Sequence, residues 1–212
     1  MKMKRSLLVV VGCFFAISLM AQDMKSVFIA MPDSITPLLT KVNKEDCVDF
    51  LDSNMKAEVT NRFGNTAEMK VLTDDYVLMQ TSSVGTLELK LLPLNDSTKV
   101  VCMVKTICTP VCDSNVRFYA SDWTKEMDKE EFMQIPAVDS FYLLNDTVME
   151  ELVLIKKKAD MNAMKCSLSK DDASLTFIYT TPEYLNKEDQ EKLLPHLRQE
   201  PVVLKWENGK FR

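Results

Sequence analysis

One histidine, His196, stands between Pro195 and Leu197 in a chain of 212 residues. Metal sites built from imidazole or thiolate need clustered ligands, and neither His-x-x-His nor Cys-x-x-Cys occurs. His196 reads as a helix-end residue beside Pro195, with no Cys/His/acid trio to assemble around it. Cys108 and Cys112 bracket Pro110 in CTPVC. That spacing is one residue too long for a thioredoxin-like pair, yet short enough for a local disulfide across a tight bend. Asp74-Asp75 and Asp171-Asp172 invite a calcium or glycosidase reading. Both pairs lie between alternating apolar runs, where aspartate forms turns through its own side chain, and the DxDxDG spacing of a calcium loop is absent. With 4 glycines in the whole chain there is no GxxxxGK, GxGxxG or GxSxG. No cofactor, no metal and no catalytic residue are therefore expected. The enzymatic alternative is a glycan or peptide hydrolase using scattered carboxylates such as Asp122 and Glu126, which demands a cleft holding two acids about 5–10 Å apart.

The remaining chemistry is aromatic. Tyr119 and Trp123 flank Asp122 in RFYASDW. Alternation places Phe118 inward with Val116 and turns Tyr119 outward. Exposed together, Tyr119, Asp122 and Trp123 would stack on a sugar ring or anchor a partner protein. The competing reading is packing in the core and at its rim. Binding to an unidentified protein or glycan is the function expected, and a secreted inhibitor presenting the 121–138 loop is indistinguishable from it.

The elements that must position these residues centre on Val84 to Tyr119. Leu87, Leu89 and Leu91 alternate with Glu88 and Lys90, the period of a half-buried strand. Asn95-Asp96-Ser97 turns the chain, Lys99 to Ile107 resumes it with β-branched residues, and Val116 to Ala120 supplies a third strand. One face of this meander is expected to be wet. Ahead of it, Met24 to Met31 has helical spacing, Asp33 is placed to cap a second short helix, and Asn43 to cap a third carrying Cys47, Val48, Leu51 and Met55. A strand over Ala57 to Phe63 and a hairpin around Thr73-Asp74-Asp75 follow. Asn145 to Lys158 fits helix and strand alike, with Thr147 and Glu150 imitating a capping box. Later come a hairpin around Lys170-Asp171-Asp172, a helix capped by Asn186, and a strand through Val202, Leu204 and Trp206 that turns at Asn208-Gly209. The fold class is α+β: an antiparallel β-meander sheet of six or more strands with the N-terminal helices on one face. LDSNMKAEV and NDTVMEELV, and the two longer stretches EMKVLTDDYVLMQT and AMKCSLSKDDASLTFIYT, share spacing, a weak sign of internal duplication.

Residues 1–21 have the layout of a signal peptide: Lys2, Lys4 and Arg5, then a mostly apolar run from Ser6 to Met20, then Ala21. That run of about 15 residues is short of the ~20 that span a bilayer, so no anchor is expected in the mature chain. Val10-Val11-Gly12-Cys13 as a lipoprotein site is disfavoured, because it would leave an apolar tail at the mature start. Residues 22–212 are expected to form one α+β domain, with a possible subdivision near 121–145. The leader takes away three of the 26 basic residues and none of the 31 acidic ones, which leaves a net charge of about −8. An acidic chain without a basic cluster is a poor nucleic-acid binder. Five cysteines remain after the cut, too few and too irregular for a disulfide scaffold. The expected address is the periplasm or the cell exterior.

VFIAMPDSITPLLTKVNKEDCVDFLDSNMKAEVTNRFG, LTDDYVLMQT, RFYASDW and the terminal WENGKF together resemble a family of secreted Bacteroidales proteins classed as a domain of unknown function. The resemblance runs from about Asp23 to the C-terminus and is most specific in FIAMPDSITPLLT and RFYASDW. It implies an exported protein of a Gram-negative bacterium, and implies no activity, ligand or catalytic residue.

Overall fold

The computed structural model describes residues 23–143 and 150–212. The expected signal peptide and the Thr147 half of the capping box lie outside the described residues. Two helices open the fold, α1 (Met24–Ala30) and α2 (Lys41–Asp52), followed by β1 (Glu58–Thr60), β2 (Thr66–Leu72) and β3 (Tyr76–Gln80). The long strands β4 (Gly85–Pro93), β5 (Lys99–Cys108) and β6 (Cys112–Ala120) come next, then a short β7 (Glu126–Met127). These seven strands form one antiparallel meander in chain order. After α3 (Glu150–Lys158) come β8 (Met164–Leu168), β9 (Ser174–Tyr179), α4 (Lys187–Leu193), β10 (Val202–Glu207) and β11 (Lys210–Phe211). The last four strands make a second antiparallel sheet, ordered β11-β10-β9-β8.

The expected wet face of the meander is covered. Leu87, Leu89 and Leu91 face α1 and α2, in a cluster with Phe28, Val48 and Met103. On the other face Val100, Cys102, Val104 and Phe118 meet Cys166, Leu175 and Phe177 of the second sheet. Glu88 and Lys90 lie on that inner face, 6% and 2% exposed. The alternation of charged and apolar residues that resembles a half-buried strand is here a strand buried on both sides, because each charge has an internal partner. Lys90 pairs with Asp75 at 2.9 Å and donates to the Lys170 carbonyl at 3.3 Å. Glu88 Oε2 accepts from the Tyr76 hydroxyl at 3.0 Å and from the Leu168 N–H at 2.8 Å.

The seam between the sheets follows one rule. β8 is an edge strand, and an exposed edge presents unpaired N–H groups. Here alternate β8 donors turn to side chains of the first sheet: Met164 N to Asp113 Oδ1 (3.1 Å), Cys166 N to Ser114 Oγ (2.9 Å) and Leu168 N to Glu88. Polar residues of β4 and β6 thus complete a ladder that backbone alone leaves open.

Several local expectations change. Residues 33–38 form turns instead of a helix, with Ile35 N bonded to Pro32 O and Leu39 N to Thr36 O. Asp33 caps nothing there; it holds Arg62 at 2.6 Å and Lys44 at 3.3 Å. The N-cap of α2 is Thr40, not Asn43: Thr40 Oγ1 accepts from Asn43 N at 3.1 Å, and Asn43 Oδ1 accepts from Thr40 N at 3.0 Å. Asparagine at the third helical position closes a capping box as glutamine or glutamate would, which moves the start three residues earlier. Met55 falls beyond α2 and is exposed. The strand expected over Ala57 to Phe63 shrinks to three residues, because Gly64 at φ +78° turns the chain back. Thr40→Ala is expected to cost about 1 kcal/mol, read as a lower urea midpoint at constant slope.

The 150s are helical: Leu152 and Ile155 of α3 join the inter-sheet core while Leu154 is exposed. Asn208 and Gly209 both have positive φ, as a type I′ turn between β10 and β11 requires. The echoed longer stretches are both hairpins, β2–β3 and β8–β9. LDSNMKAEV, however, runs from the end of α2 into β1, whereas its partner runs into α3, so that echo does not pair like elements.

Candidate functional site

β6 ends at Ala120 and the chain folds tightly before β7, with Trp123 N bonded to Ala120 O and Ala120 N to Lys125 O. Asp122 Oδ1 accepts from Thr124 N at 3.1 Å and from its hydroxyl at 2.7 Å. Those two bonds hold the Asp122 carboxyl below its ordinary range. Trp123 takes φ 62°, a left-handed conformation that is costly for a bulky residue. What holds it there is packing: the indole N–H donates to the Val27 carbonyl of α1 at 2.8 Å, and the ring lies 5.3 Å from Tyr119.

The expected open platform of Tyr119, Asp122 and Trp123 is therefore not formed. Phe118 faces the inter-sheet core as its alternation requires, but the outward side to which Tyr119 points is roofed by α1. Tyr119 is 5% exposed and Trp123 8%, while Asp122 stands in solvent. The Tyr119 hydroxyl donates to Glu126 at 3.3 Å, and Glu126 also lies 3.6 Å from Arg117. Asp122 is thus tied into its own turn and Glu126 into an ion pair. The turn works as a clamp of α1 onto the sheet.

Cys108 and Cys112 are joined in a disulfide at the β5–β6 bend, with Cα atoms 3.9 Å apart. The free thiols Cys47, Cys102 and Cys166 are buried. Burial pushes Cys47 up to about 11 and Cys166 up to about 12, and holds Cys102 well above its usual value. Thiolate is the reactive form, so none is a nucleophile at neutral pH. Iodoacetamide is expected to leave all three unmodified in the folded protein and to alkylate all three in urea, as intact mass will show. Among the described residues, no three of the metal-ligating types come together.

A concave feature lies elsewhere, between the segment after β7 (residues 130–140) and strands β10 and β11. Phe118, Phe132, Trp206 and Phe211 stack there, with Phe118 and Phe132 4.8 Å apart and Trp206 edge-on to Phe211 at 5.0 Å. The Trp206 indole is fixed by the Pro93 carbonyl at 2.8 Å, and Phe211 N is fixed by Phe132 O at 2.8 Å. Against this wall lies a cleft of about 590 Å³, floored by Phe132, Met133, Val202, Leu204 and Phe211. Its charged lining residues are Glu130, Lys210 and Arg212. Residues 133–137 form one side as an irregular strap, and beyond it a second hollow of about 380 Å³ reaches Asp113, Asn162 and Cys166. A third groove of about 510 Å³ runs between α3 and α4, where Lys158 and Lys192 are already paired with Asp189 and Glu188.

Tyr119 and Trp123 of RFYASDW are packed beneath α1, and no residue of that motif lines the cleft. The aromatic wall beside the cleft joins Phe118 and Phe132 to Trp206 and Phe211 of the terminal WENGKF hairpin, a long-range meeting that no local spacing announces. No described helix is long and apolar enough to cross a membrane.

Comparison with known proteins places the chain without assigning it an activity. No curated protein matches it. Among solved structures it is similar to a domain of an uncharacterized protein from Porphyromonas gingivalis W83, 28% identical, with a TM-score of 0.79 over 89% of this chain and 96% of that one. Residues 16–211, nearly the whole length described above, match a single family, and the chain belongs to it: Protein of unknown function (DUF3256).

Proposed function

We propose that this chain is an exported, non-catalytic binding module whose ligand enters the cleft between residues 130–140 and strands β10 and β11. Export is supported by Lys2, Lys4 and Arg5 followed by the apolar run to Met20. The observation that carries the binding role is the cleft itself. About 590 Å³ is the size of a small-ligand or side-chain pocket, and an apolar floor with a few charged groups at the lining is the usual composition of one. Asp122 and Glu126, the acids that a hydrolase would need, sit in separate local bonds and line no part of it.

The test is a thermal-shift screen of peptides, glycans and acyl amphiphiles. A ligand at one hundred times its Kd adds about 2.7 kcal/mol, which raises Tm by about 5–10 °C in a chain of this size. One class is expected to do so, and Leu204→Trp, which fills the cleft from β10, is expected to abolish the shift. Stabilisation that persists in Leu204→Trp, or turnover of any ligand, overturns the proposal.

A further inference from the structure

We infer that the cleft takes an extended peptide, which adds as a strand along residues 133–137 and sets a carboxylate against Lys210 and Arg212. This rests on the binding role proposed above and names its ligand class. The strap is the element that decides it. Ile135 precedes Pro136 and is thereby confined to extended conformations, and Ala137 is extended at φ −63° and ψ 145°. Among the described residues, the N–H groups of Gln134, Ile135 and Ala137 and the carbonyls of Met133, Gln134 and Ile135 have no hydrogen-bond partner in the chain. The strap therefore offers backbone donors and acceptors beside an apolar floor, the combination used in strand addition: main-chain bonds give affinity and alternate side chains enter pockets. Hollows on both sides of the strap, about 590 and 380 Å³, give such side chains room.

The other occupants fit less well. An acyl chain would cover the strap's polar groups and bond none of them, at a cost of roughly 1–3 kcal/mol each. A sugar needs an exposed aromatic face, and Phe132 and Phe211 are only 3% and 4% exposed. Charge sets the polarity of the peptide. Among the described residues neither Lys210 nor Arg212 forms an ion pair; Glu207 stands opposite Lys210 across β10–β11, and Glu130 is the one acid in the lining, which leaves Arg212 without an acidic neighbour there.

The experiment titrates the protein with hexapeptide mixtures that alternate apolar and polar positions. The mixtures are prepared with a free C-terminal carboxylate, with a C-terminal amide, and with alternate backbone amides N-methylated. Methyl NMR of Met133 reports cleft occupancy. The free-acid mixture is expected to bind with Kd below about 1 mM and the N-methylated one not to bind. The double substitution Lys210→Ala/Arg212→Ala is expected to weaken the free acid at least about tenfold and to leave the amide unchanged. Equal binding of the N-methylated mixture overturns strand addition, and indifference to the double substitution overturns the carboxylate contact. If no peptide binds but a glycan or amphiphile shifts Met133, the peptide inference falls and the binding role stands. If nothing shifts Met133, both fall.

Discussion

Glu88→Ala is expected to destabilise the protein by about 2–4 kcal/mol, and Glu88→Gln to leave it near wild type at neutral pH. The alanine removes one oxygen that serves two buried donors, the Tyr76 hydroxyl and the Leu168 N–H. Each donor left unpaired away from water costs roughly 1–3 kcal/mol, less what is regained by no longer burying a carboxylate. Because both bonds go to the same oxygen, the single amide oxygen of glutamine can replace it. The pair of variants therefore separates the hydrogen-bonding role from the charge. Urea denaturation of the three proteins reads the difference directly.

The pH dependence of the same residue follows from its burial. Removal from water raises the Glu88 carboxyl above its ordinary value, and the bonds from Leu168 and Tyr76 offset this only in part. A raised folded-state pKa means that the folded chain holds this proton more tightly than the unfolded chain. The favourable contribution is fully present below the ordinary glutamate pKa and is lost as pH rises through the folded value. Relative to Glu88→Gln, which does not titrate, the wild type is expected to gain stability on acidification across that window. A stability difference between the two that is flat with pH would show that Glu88 is not desolvated, and with it that the second sheet does not cover β4.

Trp123→Ala is expected to cost about 3–5 kcal/mol, the usual range for deleting a large buried aromatic residue. It opens a cavity between α1 and β6 and leaves the Val27 carbonyl without the indole donor. Trp123→Phe keeps most of the packing and isolates the hydrogen bond, so about 1–2 kcal/mol is expected for it. Hydrogen exchange gives a second readout. In Trp123→Ala the amides of α1 are expected to lose protection while those of β9 keep theirs, since Leu175 and Phe177 lie in the separate cluster on the other side of the sheet.

What was legible in the sequence was local. The three long strands, the hairpins, the Asn208-Gly209 turn and the Asn186 cap each carry their signal within about ten residues, and each stands in the structure. What was not legible depends on a partner distant in the chain. Glu88 and Lys90 look like a solvent face until Leu168, Asp75 and Lys170 are placed beside them, since alternation shows that the faces differ and not what covers each. Tyr119 looks exposed until α1, some ninety residues earlier, is laid over it. Thr40 lost to Asn43 because both are good cap residues and only the reciprocal bonds decide between them. The cleft had no motif, being assembled from a continuous irregular segment, residues 132–137, and single residues of two late strands.

A ligand has two surfaces to choose between, the cleft beside β10 and β11 and the helical face of the first sheet. Methionine is distributed to report this: Met133 lines the cleft, and Met24, Met31 and Met79 lie in the core between the helices and the opposite face. Methyl spectra of the labelled protein, recorded against peptides, glycans and amphiphiles in turn, read both sides at once. One class is expected to shift Met133 while Met24, Met31 and Met79 keep their positions. A ligand that moves those three and leaves Met133 in place would put the binding surface at the helical face, beside Tyr119 and Trp123, and contradict the account.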